Sequence, residues 1–135
     1  MPLGDAERMG APMAGIKTKN LERKSAEHPD ETRSFPKGKL DVFNLGGTQV
    51  GVAAFQPGWK WSECLQSIAK THSCETRHLG YIVRGRMKIV MDDGSEAEFG
   101  PGDLMACEPG HDAWVLGSET CEIVDFLAAP TYARR

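Results

Sequence analysis

From residue 40 onward, the sequence alternates between short apolar runs and turns rich in glycine and proline. None of the runs has the helical period of about 3.6 residues, and short runs bounded by turn residues are typical of β-strands. We therefore predict nine strands, at residues 40–45, 49–56, 59–65, 78–84, 86–92, 97–99, 104–107, 113–116 and 122–127. So many short strands with regularly spaced turns favour an all-β domain, folded as an antiparallel barrel or jelly roll.

The dipeptide Asp93-Gly94 lies between the fifth and the sixth of these predicted strands. Asp-Gly in this setting is a strong signal for a β-hairpin, because both central residues of a tight type I′ turn need a positive φ. We therefore predict a type I′ hairpin at this position.

Residues 1–39 show no sustained hydrophobic period and are rich in Met, Gly, Pro, Lys and Glu, so they cannot form a core of their own. We predict a partly disordered N-terminal extension, with a mobile tail at residues 1–15, a short helix at 16–27 and a turn at 30–38. The barrel domain is predicted at residues 40–129, and a C-terminal tail at 130–135.

The composition excludes several classes of function. A net charge of −3 and a pI of about 5.8 offer no basic surface to nucleic acid. No run approaches the ~20 apolar residues of a membrane-spanning helix, and the N-terminus lacks the pattern of a secretion signal. We therefore expect a soluble, cytoplasmic protein without a nucleic-acid or membrane partner. The four cysteines have no CxxC spacing and are expected to be reduced, with Cys74 set apart by its neighbours.

A cluster of histidine and cysteine residues is the main candidate for a functional site. His72 and Cys74 are two residues apart, so in an extended segment they project from one face, and imidazole and thiolate are good ligands for zinc, copper or iron(II). If His78 points inward, Ile82 on the same strand and Met87 on the next share its face, and this apolar wall favours the neutral imidazole. The alternative is that His72 and Cys74 lie in a loop and that only His78 is structural.

Trp59, Trp61 and Glu63 follow one another at intervals of two residues, so in a strand they share one face. Two indoles on the wall of a pocket can stack on a flat ligand, and a carboxylate beside them can act as a metal ligand or as a general acid or base. The alternative is that the tryptophans belong to the core or to a dimer interface.

The chain from about residue 40 to residue 127 resembles a small single-domain member of the cupin superfamily. The first cupin motif reads His-x-His, three or four residues, Glu, six residues, Gly. Counting back from Gly85, the Glu place falls on His78, and the two His places fall on Cys74 and His72. Residues 81–87 are also similar to the strand-turn-strand that ends this motif.

The second cupin motif reads Gly, five residues, Pro-x-Gly, two residues, His. It is matched by Gly102 and Gly110, with Glu108 in the place of Pro and Ala113 in the place of His. His111, two residues before Ala113, faces the same way on a continuing strand and is the nearest substitute for the missing ligand.

The resemblance implies a double-stranded β-helix whose cavity binds a small molecule and a divalent metal ion. It points to His72, Cys74, His78 and His111 as ligands, with zinc or iron(II) favoured by the thiolate and with manganese, nickel or copper as alternatives. Glu63 and His111 are the predicted catalytic residues, and Trp59, Trp61, Ile82 and Met87 are the predicted substrate pocket. Cupins include dioxygenases, isomerases, cyclases and lyases; the alternative is a binding or sensor protein with little or no metal. The resemblance also implies a homodimer, for which Tyr81, Val83 and Phe126 could supply the surface.

Overall fold

The computed structural model describes residues 15–18 and 20–135. These residues form eleven strands and two short helices. The strands are β1 (Gly15–Lys17), β2 (Glu22–Lys24), β3 (Glu31–Phe35), β4 (Gly38–Leu45), β5 (Thr48–Phe55), β6 (His78–Arg84), β7 (Arg86–Met91), β8 (Glu96–Phe99), β9 (Leu104–Cys107), β10 (His111–Leu116) and β11 (Cys121–Asp125). The helices are α1 (Trp61–Cys64) and α2 (Gln66–Ala69), both between β5 and β6.

Two antiparallel sheets enclose the core. The larger sheet has the order β3-β4-β5-β11-β6-β9, and the smaller sheet has the order β10-β7-β8. Burial alternates along the strands, most regularly in β10 and β11, so each sheet turns one face inward. Leu40, Ile82 and Ile123 from the larger sheet and Met87 and Ile89 from the smaller one are buried in a single hydrophobic cluster. The predicted all-β jelly-roll barrel is therefore confirmed.

The crossing from β6 to β7 carries the chain from one sheet to the other, and Gly85 makes it possible. Its φ is +75°, in the left-handed region that favours glycine. A Cβ atom at this position would also collide with the carbonyl oxygen of Thr120 and with Cα of Cys121. The close approach of these two backbone segments fixes where β6 leaves the larger sheet.

Residues 59–65 do not form the predicted strand. They contain α1, in which the backbone N–H groups of Cys64 and Leu65 bond to the carbonyls of Lys60 and Trp61. The carboxylate of Asp112, from β10, accepts the N–H of Ser62 at 3.1 Å and so satisfies a donor at the start of the helix. A helical turn, bonded to Asp112 on β10, thus takes the place of the predicted strand. In a helix, residues two apart no longer point to the same face, so Trp61 and Glu63 do not share one.

The N-terminal region also differs from the prediction. In place of the helix predicted at 16–27, β1 and β2 pair as an antiparallel hairpin, with the hydroxyl of Thr18 donating to the carbonyl of Leu21. Short polar side chains that bond to nearby backbone in this way compete with helix formation. β3 begins at Glu31, so the larger sheet starts before residue 40 and includes residues predicted to be a turn. The predicted mobile tail lies outside the described residues except for Gly15.

Two further differences concern turns and the end of the chain. β7 and β8 pair as a hairpin, as predicted, but within its turn only Gly94 has a positive φ. The carbonyl of Met91 accepts the N–H of Gly94, so this is a turn that ends in a left-handed glycine rather than a type I′ turn.

At the C-terminus, Tyr132 is buried, so the predicted tail at 130–135 packs in part against the core. Among the described residues, no helix has the length and apolarity to cross a membrane.

Candidate metal centre

Cys74, His78 and His111 converge on a cavity between the two sheets. One ligand atom from each lies within 4.8 Å of the others. Sγ of Cys74 is 3.7 Å from Nε2 of His78, and the ring centroids of the two histidines are 5.1 Å apart. Ligands of a tetrahedral zinc ion lie roughly 3.6 Å from one another, given bonds of about 2.1–2.3 Å. The spacing of these donors therefore suits a metal ion.

The backbone brings the three residues together from separate parts of the chain. His78 begins β6 in the larger sheet, and His111 begins β10 in the smaller one. Cys74 forms an isolated bridge with His111, in which the N–H of Cys74 donates to the carbonyl of His111 at 2.8 Å. The loop that carries the thiol is thus fixed to the strand that carries the second imidazole.

Asp125 orients the imidazole of His78. Its Oδ2 lies 2.7 Å from Nδ1 of His78, while Oδ1 accepts the N–H groups of Leu127 and Ala128, each at 3.0 Å. Burial by itself raises the pKa of Asp125, but the hydrogen bonds from His78 and the backbone amides hold it below its usual value. Because Asp125 is an ionised acceptor, Nδ1 of His78 carries a proton and Nε2 is free to face the thiol.

The carbonyl of Glu108 orients His111 in the same way, since it accepts a hydrogen bond from Nδ1 at 2.9 Å. Sγ of Cys107 lies 3.2 Å from the same nitrogen. Burial, and to a lesser extent the nearby His78, lowers the pKa of His111. The ring is therefore neutral near pH 7, and its Nε2 remains available as a ligand.

The thiol of Cys74 is the third donor, and only 3% of this residue is exposed. Burial raises the pKa of Cys74 to about 12, so without a metal the sulfur keeps its proton. A metal ion binds thiolate rather than thiol, so binding here must release that proton.

The cavity beside these donors is apolar and small. Its volume is about 30 Å³, and its walls include Phe55, Trp59, Trp61, Met87 and Ile89. One sulfur and two imidazole nitrogens form a soft donor set that suits zinc or iron(II). Three protein ligands leave a further coordination position open. The residues present therefore fit a metal ion with an exchangeable ligand.

Two predicted site residues lie elsewhere. His72 is exposed, because residues 71–73 bend instead of continuing the extended segment; the hydroxyl of Thr71 donates to the carbonyl of Ser73 at 2.6 Å. Glu63 is exposed on α1, whereas Trp61 and Cys64, three residues apart on the same helix, face the core. The prediction placed both residues at the site because it assumed an extended chain. The structure corrects this, since neither His72 nor Glu63 lines the cavity.

The predicted substrate pocket is placed in part. Trp59, Trp61 and Met87 line the cavity. Ile82 is fully buried in the core but does not line it. Because α1 replaces the predicted strand, Trp59 and Trp61 reach the cavity from a loop and a helix rather than from one strand face.

Sequence reasoning missed two residues of this site. Asp125 shares the inner face of β11 with Cys121 and Ile123, and a carboxylate at an inward position is a signal that could have pointed to it. Tyr132 lines the cavity from beyond the last predicted strand, where no pattern pointed inward. Burial raises the pKa of Tyr132 well above its usual value, so the phenol keeps its proton.

The profile of the EutQ-like cupin domain matches residues 37–126, which is more than half of the 135-residue chain. The chain belongs to the EutQ-like cupin family. The match confirms the predicted resemblance to the cupin superfamily, and it covers the strands from β4 to β11. No curated protein sequence matches this cupin.

Several solved structures share the fold of this cupin. The polyketide cyclase RemF from Streptomyces resistomycificus has a TM-score of 0.55 and 18% identity, and the match covers 78% of this chain and 77% of that one. The protein VPA0057 from Vibrio parahaemolyticus has a TM-score of 0.54 and 16% identity, over 72% of this chain and 97% of that one. Oxalate decarboxylase from Lactobacillus farciminis, in a formate complex, has a TM-score of 0.53 and 19% identity. The match covers 76% of this chain and 32% of that one. At these identities the likeness concerns the fold alone.

Proposed function

We propose that this cupin binds one divalent metal ion through Cys74, His78 and His111 and acts on a small molecule in the adjoining cavity. The observation that carries the proposal is the convergence of the three donors, with Nδ1 of each imidazole already bonded to an acceptor of the protein. This arrangement fixes the tautomer in which Nε2 can bind a metal. Zinc or iron(II) suits the thiolate best.

A bound ion would supply Lewis acidity to an oxygen atom of the substrate. The protein's own residues contribute orientation and a dry environment. Asp125 and the carbonyl of Glu108 hold the two imidazoles, and the apolar walls around Trp59 and Met87 exclude water. RemF is named as a cyclase, and the Lactobacillus farciminis protein with the same fold is named as a decarboxylase. The same barrel thus serves different reactions, so the proposal specifies a metal-assisted reaction without choosing its class.

A ligand-binding protein with little or no metal is the second candidate. The observation that favours it is Ala113, which occupies the place of a ligand in the cupin motif and faces the cavity. His78 likewise stands where the motif has a carboxylate. The site therefore has one ligand fewer than the cupin motif supplies.

Metal analysis of the protein purified without a histidine tag separates these two candidates. We expect one equivalent of metal per chain after incubation with zinc. Titration in weak buffer should release about one proton from the Cys74 thiol, and the apparent affinity should rise from about pH 6 to about pH 8. A folded protein that takes up no metal would contradict the metal-dependent function and support the ligand-binding alternative.

Asp125→Asn is expected to weaken zinc binding by about 10- to 100-fold, which is typical when the acceptor behind a histidine ligand is lost. The amide keeps the size of the carboxylate, but it lacks the charge that holds the proton on Nδ1 of His78. Competition with a chromophoric chelator measures the affinity. Asp41→Asn is the matched control, because Asp41 is also buried but bonds to Thr32 and does not line the cavity. Equal effects of the two substitutions would argue against this role of Asp125.

A further inference from the structure

A groove on the outside of the barrel adjoins the inner cavity. The groove has a volume of about 290 Å³, compared with about 30 Å³ for the cavity. Three residues line both spaces, namely Trp61, Cys74 and Tyr132. Of the three donors, His78 and His111 line the cavity but not the groove, so the three shared residues lie between a molecule in the groove and the two imidazoles.

Tyr132 is one of the three residues between the groove and the cavity, which we call the partition. Its ring centroid lies 5.5 Å from that of His78, and the ring meets those of Phe35 and Phe55 edge-on at 6.3 and 6.5 Å. Only 5% of the residue is exposed. The ring is thus packed on one side against the core and on another against a candidate metal ligand.

Tyr132 lies outside the part of the chain that matches the cupin family, which ends at residue 126. Residues 128–132 are nevertheless held firmly. Nη1 of Arg33, a buried side chain on β3, donates to the carbonyls of Ala129 and Tyr132 at 2.5 and 2.8 Å. Asp125, which orients His78, also accepts the N–H group of Ala128. The same carboxylate therefore ties the partition to the candidate metal centre.

We propose that Tyr132 is a specificity-determining residue, whose ring limits the size of the molecules that pass from the groove into the cavity beside Cys74, His78 and His111. This inference rests on the proposed function, since it concerns the substrate of the same site. It implies a substrate with a narrow reacting end for the cavity and a larger polar part for the groove. Glu75 and Arg134 line the groove and offer charged groups to that polar part, beside the mutually bonded hydroxyls of Thr76 and Thr131.

Alkylation of Cys74 in the metal-free protein tests the proposal, with the modified cysteine identified by peptide mass spectrometry. Iodoacetamide serves as the small reagent and a maleimide linked to polyethylene glycol as the bulky one. Tyr132→Ala is expected to raise the rate of Cys74 alkylation about tenfold or more, because thiol reactivity follows access. The gain should be larger for the bulky reagent. Tyr132→Phe keeps the ring and should react as slowly as the original protein.

Cys121 provides an internal control, since it is fully buried and lines neither the cavity nor the groove. Its alkylation should stay unchanged in Tyr132→Ala. If it rises too, the variant has lost its fold, and Tyr132→Leu, which keeps apolar contact with Phe35 and Phe55, replaces it in the comparison. A Cys74 rate that stays low in the folded variant overturns the proposal. Because no metal is present, this result is independent of whether the protein binds zinc.

Discussion

A Cys74→Ala/His78→Ala double variant is expected to lose stoichiometric metal binding. The cavity would retain only His111 from the three-donor cluster, and no other His, Cys, Asp or Glu group among the described residues forms such a cluster. A lost acceptor behind a ligand already costs about 10- to 100-fold in affinity, so the loss of two ligands should exceed this range. Elemental analysis of the dialysed protein after incubation with zinc measures the result.

The control for this variant is His72→Ala/Cys121→Ala, which removes one residue of each type outside the cluster. His72 is exposed, and Cys121 is buried away from the cavity. The control should bind one equivalent of zinc. Retention of zinc by the first double variant would show that the metal binds elsewhere.

Loss of His78 is also expected to lower the stability of the protein, and the experiment must separate this effect from the loss of metal binding. It leaves the buried carboxylate of Asp125 without its imidazole partner, and breaking such a pair costs up to about 3–5 kcal/mol of stability. Cys74→Ala/His111→Ala keeps the pair of Asp125 and His78 intact. The same loss of zinc is expected in this second variant, and circular dichroism should show that it remains folded.

The barrel could be predicted because the signals that define it are local. Short apolar runs and the glycine- and proline-rich turns between them are visible in the sequence itself. Residues 59–65 could not be predicted in the same way, because Trp59 and Trp61 have the spacing of a strand. The helical turn in this segment is supported by a hydrogen bond from the N–H of Ser62 to Asp112, which lies fifty residues further along the chain.

The candidate site also has residues that local patterns predicted and one that they did not. The sequence predicted that Cys74, His78 and His111 share a cavity, since motif spacing and strand alternation both point there, and the structure places them together. The hydrogen bond between His78 and Asp125 joins residues 47 positions apart. It depends on the pairing of β11 with β6, whose register shifts between Glu122 and Ile123. A shift of this kind changes which residues face one another, and strand alternation alone cannot reveal it.

Gly85→Ala is expected to destabilise the protein by about 3 kcal/mol or more. An alanine in the left-handed region costs roughly 1–2 kcal/mol, and forcing an extra group into packed structure adds about 1–3 kcal/mol. Here the obstacle is backbone, since the new Cβ would lie 2.5 Å from Cα of Cys121 and would also meet the carbonyl oxygen of Thr120. Neither atom can move aside as a flexible side chain could, so β11 would have to shift away from β6.

Gly94→Ala is the matched control, because Gly94 also has a positive φ, of 90°, but no atom lies within 4 Å of its added Cβ. This variant should show only the conformational cost of about 1–2 kcal/mol. Urea denaturation gives the free energy of unfolding of both, and the difference between them isolates the steric contribution. Equal losses would mean that β6 and β11 are not in such close contact at Gly85. Because Asp125 ends β11 and His78 begins β6, a shift at Gly85 should also weaken zinc binding, whereas Gly94→Ala should leave it unchanged.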